Sequence, residues 1–421
     1  RFQGGMAGLV SRRASARALR QLTHALLLLQ SMTYCFSLHS AFFTCRHGYE
    51  RQLIDELCHA GISPSEISSP VAALVRVGDD ALTRVHGRLI DPAYALQALP
   101  HATEVHGASV KALVEASLAQ LTAEQRFTRW MEGAPRGALR VHAIVPDMLK
   151  GGRTPRLQRR CEAIAAGVEA QLRKRYPCVR QRREGDATVT EECGGQLLLL
   201  QLLLLSPETL VVSLGRCDDV GLGTWPNWHV RAGLAQVDVT DEPMPSSAYR
   251  KLGEALACMQ HWPSPADTVV DLGACPGGWT KALRRLGCAV IAVDRSPLDE
   301  LLMGDNGVTF IKGDAFRYTP PWAEGEMDLG TKEGEAYPWM VSDVIAFPER
   351  AVELVQRWAS VRWAHTMVIT MKFQGDQVDW DAIREAQTEA HRVGYSFRAK
   401  HFFANKNEVT LMLQLNTASL R

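Results

Sequence analysis

From residue 247 onward, short apolar runs alternate with amphipathic stretches. The runs at 268–272, 289–293, 308–311, 339–343, 366–372, 396–403 and 408–415 have the length of strands, and helices are expected between them. That alternation predicts a doubly wound α/β sheet. The last two runs are close enough to form an antiparallel hairpin. Towards the N-terminus the pattern changes. Residues 41–60, AFFTCRHGYERQLIDELCHA, read as a short strand, a turn and a helix that puts Leu53, Ile54, Leu57 and Cys58 on one face. A weaker alternation over Ala72–Val77 completes a small α+β unit, expected to end near Pro100. A second region covers 101–220. In it ALRVHAIVP (138–146) alternates like a strand, and 157–176 reads as a helix with Ile164, Val168 and Leu172 at four-residue spacing. Leu197–Leu205 and Leu210–Leu214 look like a strand pair around Ser206 and Pro207, the first of them a buried strand rather than a membrane segment.

Composition narrows the reading only a little. Apolar content of 46% and charged content of 22% suit a globular protein of two or three domains at this length of 421 residues. The net charge of +1 says nothing of partners, because local excesses cancel. Ten cysteines occur, none as C-x-x-C, so buried or surface thiols in a reducing compartment are expected and no metal is implied. Residues 1–40 form a leader with Arg12, Arg13, Arg17 and Arg20, many serines and no acidic residue, since Glu50 is the first acid. That is the composition of a transit segment to a chloroplast or mitochondrion; the rival is a leader without an address on a cytoplasmic protein. The apolar run Ala25–Leu29 inside it is far shorter than the roughly 20 residues a membrane span needs. Residues 221–246, rich in Gly, Pro and Trp, read as a linker into a C-terminal domain over 221–421. Between Lys150 and Arg183 there are eleven Lys or Arg against Glu162 and Glu169. That excess is either a solvated helix face or a patch for phosphates.

The chemistry concentrates at the ends of the C-terminal strands, where doubly wound sheets bind their ligands. The first strand ends in Asp271 and a turn, GACPGG, of the form G-x-x-x-G-G over Gly273–Gly278. The next three strands end at Asp294, Asp314 and Asp343, and the fifth at Lys372. A nicotinamide enzyme would call for G-x-G-x-x-G with a helix N-terminus facing pyrophosphate, which is absent here. Successive acids suit a nucleoside without phosphates. S-adenosylmethionine fits them, with its ribose on Asp294, its adenine near Asp314 and its aminoacyl end over the glycine turn. Asp271 reads either as a helix cap or as a cofactor contact, and Trp279 either packs the turn or touches the cofactor.

DLGACPGGW (271–279) resembles the cofactor motif of the FtsJ-type ribose 2′-O-methyltransferases, a family that works with a Lys-Asp-Lys-Glu tetrad. Its first lysine sits in S-R-A-x-x-K-L, which SSAYRKL (246–252) matches with Lys251. The aspartate falls in MVSDV at Asp343, the second lysine in VITMKF at Lys372 and the glutamate in NKNEVTLML at Glu408. Ser247 stands where the motif carries arginine. Within the family the chain is similar to the RlmM type, which carries N-terminal domains including a THUMP-like RNA-binding module; CRHGYERQLIDEL (45–57) is similar to that type's N-terminus. The resemblance implies a Rossmann-like methyltransferase domain behind small α+β, THUMP-like domains. It implies an RNA ribose 2′-O-methyltransferase, with ribosomal RNA as partner rather than DNA or a membrane. Transfer RNA or a messenger cap as substrate, and a non-catalytic RNA-binding relative, are the alternatives. Cofactor contacts are then expected from Ser246, Asp271, Gly273, Cys275, Pro276, Gly277, Gly278, Trp279, Asp294, Asp314 and Asp343, and catalysis from Lys251, Asp343, Lys372 and Glu408. Methylating a 2′-hydroxyl requires its proton to leave. A lysine takes that proton only as the neutral amine, a form that burial or a neighbouring cation favours. Lys372 is expected as this general base, with Lys251 as the neighbouring cation.

Overall fold

Among the described residues the strands form two seven-stranded sheets. The computed structural model describes residues 40–78, 81, 91–146, 157–179, 198–216, 243–323, 336–375 and 377–416. Residues 1–39 of the expected leader, residues 221–242 of the expected 221–246 linker and both ends of the arginine-rich stretch (150–156 and 180–183) lie outside them.

The first sheet contains β1 (Ser40–Thr44), β2 (Ile67–Ser68), β3 (Leu74–Gly78), β4 (Gln97–His106), β5 (Leu139–Ile144), β6 (Leu198–Ser206) and β7 (Thr209–Arg216), in the order β2-β3-β1-β4-β7-β6-β5. Helix α1 (Glu50–His59) follows β1. Helices α2 (Val110–Ala123), α3 (Gln125–Gly133) and α4 (Gln158–Arg175) belong to the second half. The leucine run forms β6, buried from Leu198 to Leu204 with Gln201 among them. Gln201 is held there by donating from Nε2 to the Ala98 carbonyl at 2.8 Å.

The expected domain break near Pro100 is corrected by β4, which runs straight through it. The first part of β4 pairs with β1, and Thr103–His106 pair with β7. The ladder with β1 shifts between Leu99 and Ala102, and His101 takes a left-handed φ of 48°. Pro100 has no N–H to give a neighbouring strand, so it is tolerated where the strand exchanges partners. Ser213 Oγ donates to its carbonyl at 2.6 Å. Read along the chain, the proline looks like an end. In the fold it is a bulge, and the strands described between residues 40 and 216 share one sheet.

The second sheet contains β8 (Thr268–Leu272), β9 (Ala289–Asp294), β10 (Val308–Lys312), β11 (Tyr337–Ser342), β12 (Ala364–Lys372), β13 (Tyr395–Lys400) and β14 (Glu408–Leu415). Its order is β10-β9-β8-β11-β12-β14-β13, with β14 antiparallel to both neighbours and the other pairs parallel. The doubly wound expectation and the terminal hairpin are both present. Helices α5 (Tyr249–Met259), α6 (Gly278–Arg285), α7 (Glu300–Met303), α8 (Pro348–Ser360) and α9 (Trp380–Arg392) cover it. Leu252, Leu256, Trp279 and Leu283 fill one face, and Trp358, Val355, Ala386 and Ala390 the other. The order reverses between β8 and β11, so a crevice opens at their carboxyl ends, where such sheets bind ligands.

Residues 91–96 join the two sheets. Glu56 on α1 accepts from Ala93 N at 2.6 Å and Tyr94 N at 3.0 Å. From the other side, Lys400 donates to the carbonyls of Pro92 and Ala95, and His401 N to that of Ala93 at 2.7 Å.

Candidate active site

After Leu272 the chain turns through Gly273, at a φ of 76°, and Gly277, at 111°. Both lie in the region where only glycine is unstrained. A Cβ on Gly273 would stand 2.7 Å from that of Val344, and Cβ atoms on Gly277 and Gly278 would collide with Leu302 and Ser246. The turn is thus closed in on three sides: by the segment after Asp343, by α7, and by the segment entering α5. Its tip, Cys275–Pro276, is exposed. Asp294 ties the end of β9 to this turn, accepting from Cys275 N at 3.0 Å and from Ser296 N at 2.8 Å. Asp314, just beyond β10, accepts from Arg295 Nη2 at 2.6 Å and Phe316 N at 2.9 Å. Arg295 holds its carboxyl below the ordinary value.

Two of the expected cofactor contacts are occupied inside the protein. Asp271 is buried and accepts from Thr280 Oγ1 at 2.6 Å. Burial pushes its carboxyl up to about 7 against that hydrogen bond, with Asp343 and Asp294 adding to the rise. The Trp279 indole is buried too and donates from Nε1 to the Ala248 carbonyl at 2.7 Å. Both side chains brace the turn from behind. Ser246 sits against Gly278, and Ser247, at the motif's arginine position, is exposed.

Four elements bring Lys251, Asp343, Lys372 and Glu408 together. Lys251 lies in the first turn of α5, Asp343 directly follows β11, Lys372 ends β12 and Glu408 opens β14. The antiparallel register of β12 and β14 places Lys372 opposite Glu408. Lys251 Nζ is 2.6 and 2.7 Å from the two Asp343 oxygens and 3.0 Å from Glu408 Oε1. Lys372 Nζ is 3.2 Å from Asp343 Oδ1, 3.9 Å from Glu408 Oε2, and donates to the Asp343 carbonyl at 3.0 Å. The Lys251 side chain is 7% exposed and that of Lys372 21%. Lys251 is therefore the anchored amine and Lys372 the reachable one. Asp343 sits at the reversal of strand order, beside the glycine turn.

Sequence reasoning missed the groups that hold the loop before Glu408. Glu254, three residues after Lys251 on α5, accepts from Phe403 N at 2.7 Å and Ala404 N at 3.0 Å. Burial pushes its carboxyl up to about 7 against those two bonds. Asn405 Oδ1 accepts from Phe402 N at 2.7 Å. Arg46, from the first sheet's region, donates Nη1 to the carbonyls of Phe402 at 3.1 Å and Asn405 at 2.5 Å. Glu254 did leave a trace, as an acid on the apolar face of α5 that carries Leu252, Ala255 and Leu256. Arg46 left none, because its partners lie more than 350 residues away. The described part of the arginine-rich stretch is α4, which packs against α2 and β5 and exposes Arg159, Arg173, Lys174 and Arg175. Among the described residues, no group of three or more His, Cys, Asp or Glu is placed to hold a metal, and no helix is long and apolar enough to cross a membrane.

Residues 244–411 match the family model described as FtsJ-like methyltransferase. The chain is 35% identical over 153 residues to the ribosomal RNA large subunit methyltransferase M of Shewanella woodyi, a match covering 35% of this chain and 39% of that protein. Several relatives of that name are thus matched over less than half their length. The protein of the same name from Chromohalobacter salexigens is 26% identical over 396 residues, 89% of this chain and 97% of that one. Among solved structures, fibrillarin of Aeropyrum pernix with bound S-adenosyl-L-methionine is 14% identical over 55% of this chain and 84% of its own, with a TM-score of 0.29, too low to bear on fold or activity.

Proposed function

With residues 244–411 as an FtsJ-like methyltransferase domain, we propose that the chain is an S-adenosylmethionine-dependent ribose 2′-O-methyltransferase of large-subunit ribosomal RNA. The observation that carries this reading is the meeting of Lys251, Asp343, Lys372 and Glu408 beside the glycine turn. The residues at the strand ends fit the cofactor. The turn keeps its Cys275–Pro276 tip open, and Asp294, partly exposed, has accepted two N–H bonds of the roughly four lone-pair sites a carboxylate offers. When bound, S-adenosylmethionine supplies a methyl group on a positively charged sulfur. The chain supplies the rest. Lys372 takes the proton of the 2′-hydroxyl at Nζ as that oxygen becomes the nucleophile. Asp343 and Glu408 hold Lys251 in place and fix where Lys372 points.

RNA rather than DNA follows from the 2′-hydroxyl itself. Ribosomal RNA is favoured by the similarity to methyltransferase M over 89% of the chain. The first sheet and the exposed cations of α4 serve, in this reading, as a THUMP-like grip on the RNA backbone. The test is transfer of tritiated methyl from S-adenosylmethionine to unmodified total RNA, comparing the wild type with Lys372→Ala. Label on ribose in large-subunit RNA, lost in the variant while cofactor still binds, is the expected result. A folded protein that does not bind the cofactor, or that labels bases instead, overturns the proposal.

A further inference from the structure

Six large apolar side chains are exposed among the described residues, and two of them sit on the short loop that leaves Asp343. Ile345 is 87% exposed, the highest of the six, and Phe347 is 56% exposed. Neither is needed by the local structure. Phe347 is the N-cap of α8 and makes no side-chain capping bond, and Pro348 already opens the helix. Its exposure shows that it is not folded back on the helix. Exposed apolar groups scattered singly need no explanation, but two within three residues, at the mouth of a site, do. Position supplies one. Ile345 is two residues from Asp343, so its Cα lies within about 7 Å of that of Asp343, and Phe347 lies within about 14 Å. Asp343 contacts both lysines, so this loop leaves directly from the place where a hydroxyl would meet Lys372. The exposed Lys406, two residues before Glu408, lies on the other strand end of the same tetrad.

We propose that Ile345 and Phe347 form the seat for the base of the acceptor nucleotide, swung out of its stack so that its ribose reaches Lys372. The inference rests on the methyltransferase reading above and adds to it a specificity surface. A base has flat apolar faces and an edge that stays hydrated, and it gains by covering an aromatic or aliphatic side chain. Taking a nucleotide out of a stack costs a few kcal/mol, least where it is unpaired, so the acceptor lies in a single-stranded loop or bulge. Lys406 is placed to meet a phosphate of the same strand.

The test is steady-state methyl transfer by the full chain to an in vitro transcribed large-subunit ribosomal RNA, for wild type, Phe347→Ala, Ile345→Ser and Phe347→Trp. Loss of one stacked face raises KM for RNA roughly 5- to 100-fold in Phe347→Ala, with the Kd for S-adenosylmethionine unchanged and Phe347→Trp close to wild type. Once the methylated nucleotide is mapped, the same RNA lacking only that base costs the wild type a similar factor and costs Phe347→Ala nothing further, because the interaction is already gone. Unchanged KM and kcat in both Phe347→Ala and Ile345→Ser overturn the proposal. So do losses from the side chain and the base that multiply. A wild type that labels no RNA sinks the methyltransferase reading itself, whereas a wild type that labels RNA while the variants match it sinks only the seat.

Discussion

Lys251 and Lys372 share two carboxylates but differ in exposure, and substitution tests whether they differ in role. Lys372→Ala is expected to lower kcat by about 10²–10⁴, the range for a lost general base, with cofactor Kd unchanged. Lys372→Arg keeps the charge and is expected not to restore activity, since a guanidinium does not give up its proton. Pre-steady-state transfer on a mapped RNA reads both. Lys251→Ala leaves Asp343 and Glu408 without their nearest cation. It is expected to cost stability as well as activity, about 3–5 kcal/mol in a urea titration. Asp271 gives a pH test. Its folded carboxyl rises from the ordinary 3.8 to about 7, so the folded state holds a proton that the unfolded state has released across that window. Stability from this group is complete below the unfolded value and is lost as pH rises through the folded one. Asp271→Asn, which can still accept from Thr280, is expected to gain on the wild type in thermal stability between pH 4 and pH 7; a constant difference across that range argues against the burial account. The tetrad was legible because each member stands in its own short linear motif. The role of Asp271 was not, because a strand-end aspartate can face a ligand or the core, and only the packing around Thr280 decides.

The glycine turn and the strand carrying Asp343 act on each other through one contact. A methyl group at Gly273 meets Val344 and imposes a left-handed conformation on alanine. Gly273→Ala is expected to lose about 2–4 kcal/mol from strain and crowding together, and to weaken cofactor binding and kcat alike. Calorimetric titration with S-adenosylmethionine checks the first effect and single-turnover transfer the second. The loop before Glu408 gives a parallel case at longer range. Arg46→Ala removes the two charged hydrogen bonds that Nη1 gives to the carbonyls of Phe402 and Asn405, a loss of about 1.5–3 kcal/mol each at most. It is expected to lower kcat with little change in cofactor affinity, and faster amide exchange over 402–407 would locate the cause. Strand positions were largely readable from apolar runs. The exceptions have local reasons: β13 stops at Lys400 rather than running to 403, because Asn405 draws Phe402 into a turn. The brace from Arg46 had no counterpart in any local pattern.

For the whole molecule, the division of labour between the sheets is itself testable. Reversing the exposed charges of α4, with Arg159→Glu, Arg173→Glu and Arg175→Glu together, is expected to weaken RNA binding, lower its salt dependence and spare cofactor affinity; filter binding from 50 to 200 mM salt on the order of physiological strength reads this. An unchanged salt slope would return α4 to a solvated face. The change from mixed to strictly alternating elements marked off the C-terminal region, but residues 41–100 and 101–220 read as two units, because β4, with Pro100 inside it, gave no recognisable strand pattern. The order of the second sheet has a consequence in time. Glu408 opens β14, which is synthesised after every other strand of its sheet yet lies between β12 and β13. Lys372 can therefore meet Asp343 early, but it meets Glu408 only when β14 has threaded into the middle of the sheet. The glycine turn and both lysines can thus gather before the four-residue cluster is complete, since its last member arrives with the last strand of that sheet in chain order.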